Sequence, residues 1–358
     1  MKLAITSKFP YNPSMEGRKM RKAPPTYAIA TIASHSCLQI LKGAKDEGFT
    51  TLAVATKKAT PFYQTFPFID KIITIDTYTE FPKIENELIK KNAIVIPHGS
   101  FVAYLGFEEN KKMKTLYFGN KDVLDWESDR KRQREWMVQA KINVPRKFET
   151  SSDIDAPVMV KSYGAAGGKG YFFAKNKKEF TEKIKSFKAK DYVIQEYIIG
   201  VPLFIHYFYS PLSKKLEILS IDRRYETNVD SLGRMPSQNQ EGLDIQPSFV
   251  VVGNSPLVVR ESLLPEAYAM GQRVVATSQE LMAPKGLFGP FCLETIITPD
   301  QEFFVVEISC RIVAGTNLFM EGSPYSQLLY DEPMSTGRRI AREIKLAIEK
   351  NKLKEILD

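Results

Sequence analysis

From Tyr27 onward, short apolar runs alternate with segments of helical periodicity, and this alternation is the strongest constraint on the fold. Strands are predicted near residues 27–33, 51–55, 71–75 and 93–97, and helices near 36–47 and 82–91. Strands that alternate with helices pair in parallel, because each helix carries the chain back across the face of the sheet. The pattern therefore predicts a parallel, helix-covered α/β sheet.

Two of these predicted strands end in turns that contain a histidine, and the chain has only 3 histidines. His35 follows the first strand, and His98 follows the fourth, just before Gly99 and Ser100. Ligands of open α/β sheets collect at the carboxyl ends of strands, where a helix that begins offers its amides to a phosphate. A structural role for each histidine stays open, but their paired placement predicts a ligand site at this edge.

The sequence after a predicted long helix, at about 121–141, is rich in strands. Strands are predicted near 158–162, 170–174, 192–197, 203–209 and 216–222, and helices near 177–188 and 336–350. Short connections between the strands indicate an α+β module that contains antiparallel sheet. Residues 1–26, rich in proline, lysine and arginine, are interpreted as a basic N-terminal extension.

A glycine-rich loop at residues 164–170 joins two predicted strands, and Lys161 lies on the first of them. Glycines allow backbone amides to approach a polyphosphate, while Lys161 and Lys169 supply positive charge. The loop differs from a Walker loop, because no Ser or Thr follows Lys169 and a strand follows the loop. The segment predicts a phosphate cover, with an ordinary glycine hairpin as the alternative.

A second candidate segment is the apolar strand that meets Gln195 and Glu196 just before a break at Gly200. Backbone groups at a strand edge can bond a purine, and an acidic side chain can bond ribose hydroxyls. Many buried strands have the same pattern, so both interpretations stay open.

The sharpest feature is a hairpin in which two apolar strands flank a Pro-Asp-Gln turn. With a two-residue loop at Asp300 and Gln301, Glu294 falls directly opposite Glu307. Facing carboxylates repel unless a cation lies between them, and Mg²⁺ bound by carboxylates and substrate phosphates is the natural occupant. A shifted register that leaves one glutamate in solvent is the alternative.

Alternation along the second strand of the hairpin places Ser309 and Arg311 on the face of Glu307. From there Arg311 can reach a transferred phosphoryl group. Lysines on a triphosphate, carboxylates that hold a metal ion, and an arginine at the transferring group are the parts of phosphoryl transfer. Lys161 and Arg311 are therefore the predicted catalytic residues.

Composition and charge limit the classes of molecule that this chain is expected to bind. The net charge of +8 fits a nucleic-acid surface or phosphorylated small-molecule ligands. The basic runs lack interleaved aromatic residues, so no nucleic-acid partner is expected. No run approaches the roughly 18 consecutive apolar residues of a membrane span, and no membrane partner is expected. The 3 cysteines form no Cys-x-x-Cys pair, which argues against a disulfide framework and favours a cytoplasmic protein.

From about Tyr27 to the C-terminus, the chain resembles the ATP-grasp superfamily and, more narrowly, the archaeal 5-formaminoimidazole-4-carboxamide ribonucleotide synthetases. The segments that carry the likeness are SHS (34–36), ILKGAK (40–45), PHGSF (97–101), WES (126–128), HYFYSPL (206–212), RYETN (224–228), GNSP (253–256), RESLLP (260–265), GPFC (289–292) and GTN (315–317). The resemblance implies a Rossmann-like, parallel-sheet (pre-ATP-grasp) domain at 27–142 followed by an ATP-grasp fold. The latter comprises a small subdomain at 143–205 and a C-terminal subdomain at 206–358.

The resemblance also implies a reaction in purine biosynthesis. ATP phosphorylates formate, and the amine of 5-aminoimidazole-4-carboxamide ribonucleotide (AICAR) attacks the formyl phosphate to give the formamido product (FAICAR), a precursor of IMP. By matching motif, Glu294 and Glu307 would bind Mg²⁺ or Mn²⁺, and His35, Ser100 and Asn254 would bind AICAR. The residues implied for ATP are Lys161, Gly164, Ala165, Ala166, Gly167, Gly168, Lys169, Gly170, Gln195, Glu196, Tyr197, Ile198 and Glu226.

Two alternatives to this function remain. The chain could join another small carboxylate to another amine, or it could be a non-catalytic nucleotide-binding paralogue. In each case the expected partners are small molecules, with assembly as a homo-oligomer.

Overall fold

The computed structural model describes residues 27–162, 171–189, 191–240, 248 and 250–358. The predicted extension at 1–26 lies outside the described residues. The first sheet is parallel, with strand order β3-β2-β1-β4-β5. Its strands are β1 (Ala28–Ile32), β2 (Thr50–Thr56), β3 (Lys71–Ile75), β4 (Ala93–Val95) and β5 (Leu116–Tyr117). All five residues of β1 are buried, as expected for the centre of a sheet covered on both faces. The predicted parallel sheet is confirmed.

The helices of this region are α1 (Cys37–Asp46), α2 (Thr60–Tyr63), α3 (Phe81–Lys90) and α4 (Gly106–Lys112), with a π-helix at Phe101–Leu105. The predicted long helix at 121–141 is wrong, because the structure has α5 (Lys121–Ser128) and α6 (Arg130–Gln139) there. Asp129 separates them in an extended conformation, and its carboxylate accepts hydrogen bonds from the amides of Lys131 and Arg132. An aspartate that caps a new helix in this way ends the preceding one.

The second sheet is antiparallel, with strand order β6-β9-β7-β8. Its elements are β6 (Lys147–Phe148), β7 (Val158–Ser162), β8 (Tyr171–Ala174), α7 (Lys177–Lys183) and β9 (Tyr192–Glu196). The third sheet is also antiparallel, with order β12-β11-β10-β13-β14. Its elements are β10 (Val201–Ser210), β11 (Lys215–Glu226), α8 (Thr227–Leu232), α9 (Ser237–Gln240), β12 (Val251–Pro256), α10 (Leu264–Leu281), β13 (Gly289–Ile297) and β14 (Phe303–Ser309). The predicted α+β module is confirmed.

The boundary predicted between residues 205 and 206 cuts β10 in two, because this strand runs from Val201 to Ser210. A division in the short connection between β9 and β10 keeps both sheets intact. The boundary predicted between 142 and 143 falls in the connection between α6 and β6 and divides no element.

The last helix, α11 (Thr336–Glu349), returns to the first sheet and packs against α1. Its stripe of Ile340, Ile344 and Ala347 is fully buried in the same hydrophobic core as residues of β1 and α1. Gly43 and Gly337 lie at the crossing, where an added Cβ would strike the backbone of the opposite helix. The predicted 206–358 unit therefore does not stand alone, since its final helix completes the N-terminal core.

No helix in the described part of the chain is both long and apolar enough to span a lipid bilayer.

Candidate active site

One face of the third sheet carries three acidic side chains in a row of paired residues that begins at two glutamates. Glu307 on β14 pairs with Glu294 on β13, which pairs with Phe204 on β10, which in turn pairs with Asp222 on β11. Residues that pair directly across a sheet lie on the same face. This row therefore places acidic groups from three strands along one surface.

The predicted pairing of Glu294 with Glu307 is confirmed, but the predicted two-residue turn is wrong. The Thr298 amide donates to the carbonyl of Glu302, and the Thr298 carbonyl accepts from the amide of Gln301, which adopts the left-handed conformation with φ of 65°. The turn is thus one residue longer than predicted. A bulge between Glu294 and Thr295 shifts the register back by one residue, so that the two deviations cancel where the glutamates face each other.

The two glutamates are in different electrostatic environments. Arg224 Nη1 donates a hydrogen bond to Glu294 Oε1 at 2.8 Å, and the guanidinium lies 3.5 Å from the centre of the Phe204 ring. Burial and the facing charge of Glu294 raise the pKa of Glu307 above its ordinary value. A divalent cation between the carboxylates would oppose this shift, because it would stabilise their ionised forms.

These residues therefore fit the predicted Mg²⁺ or Mn²⁺. Among the described residues, no group of three or more His, Cys, Asp or Glu side chains is arranged to hold a metal ion. Two carboxylates that share an ion with substrate phosphates are the usual arrangement for Mg²⁺. The metal role of Glu294 and Glu307 remains a prediction.

Lys161 lies near the same two carboxylates. It is on β7, where it pairs with Tyr171 of β8 and Val193 of β9. Burial lowers its pKa, the nearby Arg130 lowers it further, and the negative charges of Glu307 and Glu294 oppose the change. The structure thus brings the predicted lysine and the two predicted metal ligands within electrostatic reach of one another.

The glycine-rich loop lies outside the described residues. The positions concerned are Gly164, Ala165, Ala166, Gly167, Gly168, Lys169 and Gly170. The strands on either side, β7 and β8, are antiparallel neighbours, as predicted.

The segment predicted to hold the purine connects the second sheet to the third. Gln195 and Glu196 end β9, and the Glu196 amide donates to the carbonyl of Arg146 at 2.8 Å. The Tyr197 amide donates to the carbonyl of Pro157, and its ring packs edge to face on Phe173. Ile198 follows in the connection to β10. The ATP contacts assigned to these residues remain predictions.

The two predicted histidine turns come together, because β1 and β4 are neighbours in the first sheet. The rings of His35 and His98 are stacked, with centroids 5.2 Å apart and planes inclined by 2°. His98 Nε2 donates to the carbonyl of Ile32 at 2.9 Å, and its Nδ1 accepts from the amide of Ser100 at 3.2 Å. One ring nitrogen thus donates and the other accepts, which defines a neutral imidazole. Burial lowers the pKa of His98 to about 4, although the bond to Ile32 opposes this change.

His35 is the member of the pair that faces solvent. Its backbone has φ of 52°, its Nδ1 lies 2.8 Å from the hydroxyl of Ser36, and its carbonyl accepts from Asn317 Nδ2 at 2.8 Å. The residue is exposed, but one face of its ring is covered. Desolvation of that ring, followed by the influence of His98, Arg311 and Arg224, lowers the pKa of His35. A neutral His35 surrounded by cationic groups suits the recognition of an anion.

β14 ends at Ser309, so Arg311 lies beyond the strand whose alternation predicted its position. Arg311 Nη2 instead forms an ion pair with Glu127 Oε1 at 2.9 Å. A Cβ added at Gly99 would lie 2.7 Å from His35 Nε2 and 3.3 Å from Arg311 Nη1. Arg311 therefore lies beside the histidine turn, and its catalytic role remains a prediction.

The other predicted ligand residues surround the same region. Ser100 is buried beside His98. Asn254 on β12 pairs with Arg224 on β11. Glu226, at the end of β11, is half-buried, and this burial raises its pKa to about 7, against the opposing charge of Arg224. Arg224 thus lies between the glutamate pair, Glu226 and the histidine turns.

Sequence reasoning gave no separate role to Arg224, Asp222, Glu127 or Arg130. A signal for two of them existed, since Asp222 and Arg224 occupy alternate positions of β11 and therefore share one face of the sheet. Glu127 and Arg130 come from the helices α5 and α6, and only the packing of these helices brings them to the site.

Comparisons with known proteins identify relatives of this chain. Residues 29–148 match a protein of unknown function (DUF1246), and residues 173–358 match a domain of unknown function (DUF1297). The chain is 56% identical over 337 residues to a 5-formaminoimidazole-4-carboxamide-1-(beta)-D-ribofuranosyl 5'-monophosphate synthetase of Pyrococcus horikoshii, covering 92% of this chain and 99% of that one. The protein with the same name from Saccharolobus solfataricus is 51% identical, with 91% and 98% covered.

Among solved structures, the IMP biosynthesis protein PurP from Thermococcus kodakaraensis matches with a TM-score of 0.74 and 34% identity, covering 92% of this chain and all of that one. The ADP complex of an N5-carboxyaminoimidazole ribonucleotide synthetase matches with a TM-score of 0.64 over 89% of this chain and 77% of that one. At 15% identity, that likeness shows the fold alone.

The fold and these relatives define an enzyme of the ATP-grasp class, an ATP-dependent ligase. More narrowly, the chain belongs to the family of the 5-formaminoimidazole-4-carboxamide-1-(beta)-D-ribofuranosyl 5'-monophosphate synthetases.

Proposed function

We propose that this chain catalyses the ATP- and formate-dependent formylation of AICAR to FAICAR in IMP biosynthesis. The γ-phosphoryl group of ATP passes to a formate oxygen, which gives formyl phosphate and ADP. The amine of AICAR then attacks the formyl carbon, the C–O bond to phosphate breaks, and the amine loses a proton. The products are FAICAR, ADP and inorganic phosphate.

The observation that carries this proposal is the position of Arg224 between two parts of one surface. It is hydrogen-bonded to Glu294 of the glutamate pair, and its charge also acts on His35 of the histidine turn. A phosphoryl-transfer site and an anion site are therefore adjacent, as a reaction between a nucleoside triphosphate and a ribonucleotide requires.

The residues take complementary parts in this proposal. Lys161, the loop at 164–170, Gln195 to Ile198 and Glu226 hold ATP, and the buried positive charge of Lys161 faces its phosphates. Glu294 and Glu307 hold Mg²⁺ or Mn²⁺, which when bound neutralises phosphate charge.

In this proposal the ribonucleotide binds on the side of Arg224 that faces His35, away from the glutamate pair. His35, Ser100 and Asn254 bind AICAR, and Arg311, fixed by Glu127, supplies positive charge beside His35. The proposal includes a cytoplasmic homo-oligomer whose other partners are the small-molecule substrates.

The test is a coupled assay of ADP release together with detection of the formylated ribonucleotide. We expect ADP release only when formate and AICAR are both present. Replacement of formate by acetate or bicarbonate, and of AICAR by aminoimidazole ribonucleotide, distinguishes ligases for other carboxylate and amine pairs. Tight binding of ATP and AICAR without turnover under all combinations would instead identify a nucleotide-binding paralogue.

A further inference from the structure

Asp222 is a fully buried carboxylate directly behind one of the predicted AICAR ligands. Its Oδ1 lies 2.5 Å from Nε2 of the buried His206, and its Oδ2 accepts a hydrogen bond from Asn254 Nδ2 at 2.7 Å. An ionised carboxylate only accepts hydrogen bonds, so both neighbours must present N–H groups to it. The amide nitrogen of Asn254 is therefore turned toward Asp222, and its oxygen is turned away.

The free side of the Asn254 amide faces the site. Asn254 is partly exposed and pairs with Arg224, whose side chain reaches Glu294. No hydrogen bond from the described residues reaches Asn254 Oδ1, whereas one N–H of Nδ2 is used on Asp222. Asn254 Oδ1 is thus an available acceptor beside the cationic groups of the site.

Packing holds the carboxylate of Asp222 in this position. A Cβ added at Gly315 would strike Asp222 Oδ1, so the absence of a side chain there gives the carboxylate its room. Rotation of the Asn254 amide by 180° would place its oxygen against Asp222 Oδ2, where neither atom can donate. A buried carboxylate that lost its donor in this way would be strongly disfavoured.

We propose that Asp222 is a positioning residue that fixes the orientation of the Asn254 amide, so that Asn254 Oδ1 accepts a hydrogen bond from an N–H or O–H group of the bound ribonucleotide. The inference rests on the proposed function, since it concerns recognition of the same substrate. It makes Asp222 a determinant of specificity that acts through Asn254 without touching the ligand.

The test exchanges the two side chains. Asp222→Asn alone removes the requirement for a donor from Asn254, and Asn254→Asp alone sets two carboxylates against each other. In the double variant Asp222→Asn/Asn254→Asp, the new amide at 222 can accept from His206 and donate to the new carboxylate at 254. The second oxygen of that carboxylate then restores the acceptor toward the ligand. The pairing is thus reversed, and an acceptor oxygen of residue 254, now part of a carboxylate, still faces the substrate.

We expect each single variant to raise the KM for AICAR about ten-fold or more, with the KM for ATP unchanged. The double variant should return the KM for AICAR to within about three-fold of the wild type, because the two changes compensate. Ser220→Ala is the matched control. It alters a buried polar residue of the same strand that has no contact with Asn254, and it should leave both KM values unchanged.

The inference would be overturned if the rise in the KM for AICAR in the double variant equalled the product of the rises in the two single variants. An equal rise in the KM for ATP would also overturn it, as would a double variant that does not fold, because the exchange keeps both hydrogen bonds of residue 222, to His206 and to residue 254. If Asp222→Asn alone does not fold, the comparison between Asn254→Asp and the double variant carries the test.

Calorimetric titration with AICAR separates this inference from the proposed function. A wild-type protein that neither binds nor converts AICAR would overturn the proposed function and this inference with it. A wild-type protein that binds AICAR, with no recovery of affinity in the double variant, would overturn this inference alone.

Discussion

Arg224 donates a hydrogen bond of 2.8 Å to Glu294, while Glu307, directly opposite Glu294, forms no ion pair among the described residues. The two glutamates face each other, yet in the described part of the chain only Glu294 has a hydrogen-bonded cation. Glu307 feels Arg130 and Lys161 without an ion pair to either. Burial and the charge of Glu294 raise the pKa of Glu307, against the influence of these two cations. Glu307 is where a bound cation would gain most, and this asymmetry underlies the first two predictions.

Glu307→Gln should abolish most activity while the fold is preserved. The substitution removes a buried repulsion, so we expect the melting temperature of the metal-free protein to be unchanged or higher. Loss of a charged group at a phosphoryl-transfer site should lower kcat by about a hundred-fold or more. The measurement is kcat at increasing Mg²⁺, alongside thermal unfolding. Glu302→Gln, an exposed position in the same hairpin, is the control and should keep wild-type activity.

Stability without metal should fall as the pH rises, and Glu307 should be one cause. Between the ordinary glutamate pKa of about 4.3 and the raised value, the folded chain keeps a proton that the unfolded chain has lost. The free energy of unfolding therefore decreases as the pH rises through this range. We expect the fall in Tm between about pH 5 and about pH 8 to be larger in the wild type than in Glu307→Gln.

Mg²⁺ should reduce this fall in the wild type, because the cation binds the ionised pair. Identical pH profiles for the two proteins would show that Glu307 keeps an ordinary pKa in the folded chain.

Arg224→Gln should be far more damaging than Arg223→Gln, although the two residues are adjacent. Arg224 bonds Glu294 and lies over the Phe204 ring, whereas the side chain of Arg223 is 48% exposed. We expect kcat/KM for AICAR to fall about a hundred-fold in Arg224→Gln and less than about two-fold in Arg223→Gln. Arg224→Lys should recover little, because lysine lacks the planar group that both bonds and stacks. Comparable losses in the two glutamine variants would remove Arg224 from the site.

Replacement of each stacked histidine by asparagine should have different effects: His98→Asn should lower stability, and His35→Asn should mainly weaken substrate binding. His98 is fully buried and hydrogen-bonded at both ring nitrogens, so His98→Asn should lower the free energy of unfolding by about 2 to 3 kcal/mol. His35 is exposed with a positive φ that asparagine tolerates, so His35→Asn should cost less than about 1 kcal/mol.

The two variants should also differ in substrate binding. His35→Asn should raise the KM for AICAR about ten-fold. Urea unfolding and steady-state kinetics check both variants. A large loss of stability in His35→Asn with no change in KM would make His35 a structural residue.

Local pattern was sufficient to predict most of the elements and two features of the site. The strands Lys71–Ile75 and Val158–Ser162 were predicted with the observed bounds, because their apolar runs end at clear turns. The predicted pairing of Glu294 with Glu307 agrees with the structure only because a bulge after Glu294 offsets the longer turn. Errors arose where a single residue changes the geometry, as at Asp129, which starts a new helix, and at Gln301, which lengthens the turn.

The sequence by itself determined the alternating sheet, the glutamate hairpin and the histidine turns, because each depends on neighbours in the chain. Only the tertiary structure decided that Arg224 links the glutamates to His35, that Glu127 holds Arg311, and that Asp222 orients Asn254. These contacts join residues 32 to 189 positions apart, and their geometry depends on how whole sheets and helices pack. No local periodicity encodes that packing.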